Sequence, residues 1–173
     1  KYRLLPFFLI LFTSISVFSQ RTWTKLNVKT NVQEKELEYR ESNPSSFNLF
    51  LVKKELISKK LILSSKNTQI IELPTPNGVQ KFKIKEASVF AAKLAAKFPA
   101  IKSYVGVGID DPTARVRLSN SSVGLHAMIS SGKFPLYLID PYTKDKKTAI
   151  AYFKNNTAKS KFECLVEEVN LST

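Results

Sequence analysis

The chain has 173 residues, 24% charged and 43% hydrophobic, and a formal net charge of +13 at neutral pH. That length holds one domain and a targeting segment, and the composition is that of an ordinary globular protein. One cysteine (Cys164) and one histidine (His126) exclude an internal disulfide and any zinc site built on two histidines, and no HExxH stretch is present.

The positive charge suits polyanions or an acidic protein face as partners; the plainer reading is a solvated lysine-rich surface. The lysines are scattered along the chain and do not gather around interleaved aromatics. That pattern argues against a nucleic-acid platform.

Residues 1–19 read as a secretory signal peptide. Lys1 and Arg3 give a basic start, and the apolar run Leu4 to Ile15 is broken only by Pro6, Thr13 and Ser14. Ser16-Val17-Phe18-Ser19 then offers a cut after Ser19. The run is short for a membrane span. The expected location is therefore secreted or cell-surface, with no membrane attachment after cleavage.

Residues 20–45 read as a polar connector. Trp23, Leu26, Val28 and Val32 are sparse among charges, and one short helix is expected around Val32 to Arg40. Asn43-Pro44-Ser45 marks a boundary, because proline biases the residue before it away from helix.

The body of the chain follows. Ser46 to Val52 alternates as a strand. Lys53 to Leu63 carries Leu56, Ile57 and Leu61 at helical spacing, with Glu55 near its start. Gln69 to Leu73 and Val79 to Lys85 read as strands around Pro74-Thr75-Pro76-Asn77-Gly78, where Asn77-Gly78 supplies the positive φ angles of a tight hairpin. Phe82 and Ile84 alternate with Lys81, Lys83 and Lys85, giving one buried and one wet face.

Ser88 is the expected cap of an alanine-rich helix, Val89 to Phe98, with Leu94 and Phe98 on one face and Pro99 as its stop. Strands are expected at Ile101 to Val107, Ala114 to Ser119, Gly124 to Ser130, Leu136 to Asp140 and Ala149 to Phe153, with another at Phe162 to Val169. This spacing predicts an α+β fold: a mainly antiparallel sheet or sandwich with two short helices.

Few side chains invite chemistry. Asp110, Asp111 and Asp140 could ligate a cation, but Asp-Asp-Pro and Asp-Pro-Tyr are more simply turns. Glu86 belongs to a helix start. His126, on a strand between Leu125 and Ala127, reads as a structural histidine with no nucleophile motif near it. Cys164 shares one strand face with Phe162 and Val166, as a small core residue would.

The order of motifs is distinctive. KIKEASVFAAKLAAKFPAIKSYVGVGIDDPTARVRLS is followed by GLHAMI and then YLIDPYTKD. Together they resemble the N-terminal pro-region of secreted bacterial zinc metalloproteases of the reprolysin-like class. The resemblance covers residues 46 to 168. It implies a pro-region domain there, with residues 169–173 starting a linker to a catalytic domain.

The zinc helix HExxHxxGxxH of that class is not in this sequence. The chain is accordingly expected to be a fragment of the precursor, with no catalytic residue and no cofactor of its own. Zinc would belong to the catalytic domain, which is the implied partner. The resemblance also gives Cys164 a second reading, as a thiolate latch filling the open position on that zinc. The expected function is a non-catalytic latency and folding module. A stand-alone secreted adhesion or polyanion-binding module is the alternative that the basic composition offers.

Overall fold

Strand patterning with one apolar face requires that face to be covered, and a long antiparallel meander meets the requirement by curling on itself. The computed structural model describes residues 21–27, 37–38, 43–64 and 67–157. Among them, nine strands form one curled antiparallel sheet with two short helices, an α+β fold rich in β-structure. A single sheet, rather than a sandwich of two, provides the architecture.

In chain order the elements are β1 (Trp23–Leu26), β2 (Asn48–Val52), α1 (Lys54–Leu63), β3 (Gln69–Thr75), β4 (Gly78–Glu86), α2 (Ala92–Lys97), β5 (Lys102–Gly108), β6 (Arg115–Ser121), β7 (Gly124–Ser130), β8 (Tyr137–Pro141) and β9 (Thr148–Phe153). Strands β3 to β9 run as a meander. β2 then pairs with β9 and β1 with β2, so the order across the sheet is β1-β2-β9-β8-β7-β6-β5-β4-β3.

The two end strands approach each other. The Trp23 indole N–H donates to the Glu72 carbonyl at 2.6 Å, a stitch from β1 to β3. Helix α1 lies between β2 and β3 and buries Ile57 and Leu61. The concave interior is filled by Trp23, Phe50, Ile57, Leu61, Ile71, Leu73, Phe82, Ile84, Val116, Ile129, Tyr137 and Ile139, among others. Trp23 meets Phe50 edge-on, with ring centroids 6.3 Å apart.

Several expectations shift. Trp23–Leu26 is a strand, although it falls in the stretch read as connector; its apolar residues are too few for the alternation to stand out, and its pairing with β2 is non-local. Leu37, in the stretch expected to be helical, makes an antiparallel bridge with Thr143. β3 continues through Pro74 and Thr75 because it is an end strand, where a missing N–H costs little. The hairpin after it turns on Pro76-Asn77, with Gly78 at φ +101°. The Thr75 hydroxyl accepts from Asn77 N–H and donates to the Gly78 carbonyl.

Residues 1–19, the expected strand at 162–169, Cys164 within it and residues 169–173 lie outside the described residues.

Candidate docking face

On a curled sheet, alternate side chains point outward, and the register fixes which of them become neighbours. One outward row runs through Lys85, Val105, Arg117 and Met128 on β4 to β7. The adjacent row carries Ser103, Ser119 and His126 on β5 to β7. A third brings Lys83, Val107 and Arg115 together. Lys83, Lys85, Arg115, Arg117, Val107 and Met128 are all exposed.

His126 is anchored within this face. Its Nδ1 lies 2.8 Å from Asp140 Oδ1, and the Tyr152 hydroxyl donates to Asp140 Oδ2 at 2.6 Å. An ionised carboxylate only accepts, so Nδ1 carries the proton and the ring's other nitrogen, Nε2, is left for the groove. The groove has a volume of about 310 Å³ and is lined by Val89, Ser103, Arg117, Ser119, His126 and Met128, among others.

The carboxylate of this face, Asp140, is engaged by His126 and Tyr152. Glu86 lies on the other side of β4, opposite Tyr104, and pairs with Lys102 at 2.8 Å. Among the described residues no ion pair involves Arg117, Lys83 or Lys85. Glu86 thereby borders the core on its own side of the sheet. The Tyr104 hydroxyl is pushed up to about 12, chiefly by burial and secondarily by the Glu86 charge.

The segment leading into α2 reaches this groove through Ala87 and Val89. The helix of this arm spans only six residues and buries none of them. Val89 is 68% exposed, Leu94 42% and Phe98 50%. Ser88 does not cap this helix, whose first-turn flank is Ala91 with no side-chain cap bond. The Ser88 hydroxyl instead binds Phe90 N–H at 3.2 Å, in a local turn. The amphipathic pattern was legible, but nothing among the described residues receives its apolar side.

The Asp110-Asp111 pair is structural. Asp110 Oδ2 accepts Lys81 N–H at 2.6 Å, tying the β5–β6 turn to β4. Asp111, 1% exposed, accepts from the Ser131 and Thr113 hydroxyls at 2.7 Å each and from Thr113 N–H at 3.1 Å. The Ser131 and Thr113 hydrogen bonds hold its carboxyl at about 2, and Lys133 adds a smaller pull in the same direction. Gly108 serves the same turn: a Cβ there would lie 2.2 Å from the Asp111 carbonyl oxygen. The strand-loop-strand unit around GIDDPTA is thus a staple joining β4, β5, β6 and the β7–β8 loop.

A second cavity of about 240 Å³ opens at the other end of the curl, between α1 and the β6–β7 and β8–β9 turns. Its lysines are engaged: Lys54 Nζ donates to the Asp145 carbonyl and Lys146 Nζ to that of Ser122. Among the described residues no group of three or more His, Cys, Asp and Glu could hold a metal ion. No described helix is long and apolar enough to cross a membrane.

Sequence reasoning placed His126 on its strand but missed its partner. Asp140 looked like part of a turn, and only the β7–β8 register brings the two together. A His and an Asp each next to apolar residues on successive expected strands was the available signal. No protein-family model, curated protein or solved structure matches the chain.

Proposed function

We propose that this chain is the non-catalytic latency and folding module, the pro-region, of a secreted zinc metalloendopeptidase precursor. Its partner is the zinc-bearing catalytic domain, which it covers. One observation carries the reading: the segment at the centre of the motif resemblance, EASVFAAKLAAKFPAI, holds Val89, Leu94, Phe98 and Ile101 unburied within its own domain. Large apolar side chains left exposed together in one short segment suit an interaction site. Its lysines, Lys93 and Lys97, keep the arm soluble and suit an acidic receiving surface.

In this role the sheet is a rigid platform and the arm a wedge. Covering works by exclusion: a face laid over a catalytic cleft keeps substrate out until the connection is cut. The latch role of Cys164 is part of the proposal and is separable from it, since occlusion requires no thiolate.

The test reads the gene past Thr173 and adds purified 20–173 in trans to the metalloprotease domain encoded there. Slowed peptide hydrolysis, lost on Leu94→Glu with Phe98→Glu, is the expected result. A polypeptide that neither binds nor slows that domain ends the reading. A Cys164→Ser polypeptide that inhibits as well as the unmodified one removes the latch alone.

The cationic rows on the outer face favour a second reading, a secreted adhesion or polyanion-binding module. Retention on heparin without any effect on a downstream protease would support it.

A further inference from the structure

The face beside the arm has a composition of its own. Cations on β4 and β6 (Lys83, Lys85, Arg115, Arg117) flank the aliphatic side chains of β5 (Val105, Val107), and Met128 extends the apolar stripe onto β7. Hydroxyls of Ser103 and Ser119 and the ring of His126 line the adjoining groove. We propose that this face receives an extended acidic segment of the partner, with one of its carboxylates seated on Arg117 and an apolar neighbour against Val105 and Met128. The proposal rests on the reading that the chain covers a partner domain, and it names what that partner contributes.

Three observations select this occupant. The first is charge: Arg117, Lys83 and Lys85 have no carboxylate partner among the described residues, and the nearby acids are engaged elsewhere. A guanidinium offers a planar fork that matches a carboxylate, and hydroxyls beside it complete the shell.

The second is the aliphatic stripe. Val89, Val105, Val107 and Met128 give apolar contact to amino-acid side chains. Stacking of nucleic-acid bases uses broad aromatic faces, and the groove's one Phe, Tyr or Trp side chain, Tyr104, is turned into the core at 3% exposure, while the His126 ring is tied to Asp140. The occupant is therefore a polypeptide, not a nucleic acid.

The third is the fixed ring of His126. Asp140 holds Nδ1, so the ring is fixed and its other nitrogen is a polar group of the groove lining. A polypeptide laid across the strands can meet that wall with its backbone while its apolar side chains reach Val89, Val105 and Met128, and a polysaccharide has no such side chains to offer. Asp140 and Tyr152 act here as positioning residues, through His126.

The test uses the mature 20–173 polypeptide and a fluorescent synthetic peptide of alternating Glu and Leu, with an alternating Lys and Leu peptide as the opposite-charge control. Binding is followed by anisotropy. The NMR signals of His126, the chain's single histidine, report directly on the groove. Expected are binding of the Glu-Leu peptide alone, a shift of the His126 signal, and an affinity loss of about tenfold for Arg117→Ala, as for removal of one charge-assisted pair. Lys59→Ala, on an exposed part of α1, is expected to leave affinity unchanged.

The inference is overturned if the Glu-Leu peptide does not bind, or if Arg117→Ala with Lys85→Ala leaves its affinity unchanged. A heparin fragment that binds through these residues when the peptide does not would assign the face to polysaccharide and equally overturn it. Its failure is separable from that of the pro-region reading. If Arg117→Ala with Lys85→Ala still inhibits the downstream protease fully, while the Leu94→Glu and Phe98→Glu variant does not, the reading stands and this face is not the contact.

Discussion

The outer surface of this sheet has two halves with opposite fates. Across the middle of β8, β9 and β2, outward side chains are covered: Ile150 is 0% exposed, Leu49 2%, and Tyr152 is buried, with Leu26, Phe47, Leu138 and Tyr142 packed against them, while Leu51 farther along β2 is open. Across β4 to β7 the equivalent positions carry Lys83, Lys85, Arg115 and Arg117 and leave Val107 and Met128 open. The inner face is continuous beneath both halves. Burial is thus divided by position on one sheet. The covered half and the interior hold the fold, and the open half is the one proposed to receive a partner.

The largest expected effect tests the interior that both halves share. Phe82→Ala and Trp23→Ala should each cost about 3–5 kcal/mol, the usual range for deleting a large aromatic from a core. Denaturant unfolding measures it. Trp23 adds the loss of the stitch to Glu72 that brings β1 against β3. If Trp23→Ala proved nearly neutral, the closing of the curl would not contribute to the fold.

The next sets the halves against each other directly. Ile150→Ala should cost about 2–4 kcal/mol, as for a fully buried aliphatic residue. Val107→Ala, also outward on a strand, should fall within about 0.5 kcal/mol. Equal losses at the two sites would erase the distinction.

Much of this division was legible and some was not. The alternation of Phe82 and Ile84 with Lys81, Lys83 and Lys85 announced both the buried face and the wet one, because period-2 patterning needs only local sequence. The strands that make up β3 to β9 were readable for the same reason, with turn residues between them, but their order across the sheet was not. β1 was not: four residues, Trp23 to Leu26, carry too short a pattern, and their placement depends on β2 and β3 at long separation. The covered outer half was equally hidden. Thr148 to Tyr152 reads as a continuous buried run, and a sequence cannot say which side covers which residue. The His126–Asp140 contact required the β7–β8 register, fixed by neighbours such as Ala127 and Ile139.

A pH profile sharpens the comparison at the turns. Asp111 titrates at about 2 in the folded chain, depressed below its ordinary value near 4 by the Ser131 and Thr113 hydrogen bonds. Folding then favours the ionised form. The contribution is fully present above pH ~4 and is lost as pH falls through ~2. Asp111→Asn should lower the melting temperature at neutral pH and flatten the acid limb of the profile. Tyr104 has the opposite sign: with its hydroxyl raised to about 12, its contribution is complete below pH ~10 and fades as pH rises through ~12. Tyr104→Phe should flatten the alkaline limb. An unchanged acid limb in Asp111→Asn would assign acid unfolding to other carboxylates.

The smallest expected change in stability is the most informative about function. Leu94→Glu with Phe98→Glu puts two charges on the α2 arm, where the parent side chains are 42% and 50% exposed and the helix buries nothing. Substitutions at open surface positions fall within about 0.5 kcal/mol, so the melting temperature should barely move. Partner binding, by contrast, should be lost, because two apolar contacts become desolvated carboxylates beside a surface that suits cations. A stability loss well above 1 kcal/mol would instead mean that the arm packs on its own domain in solution. The apolar surface would then be a piece of core that has found its cover, and no partner would be needed to explain it.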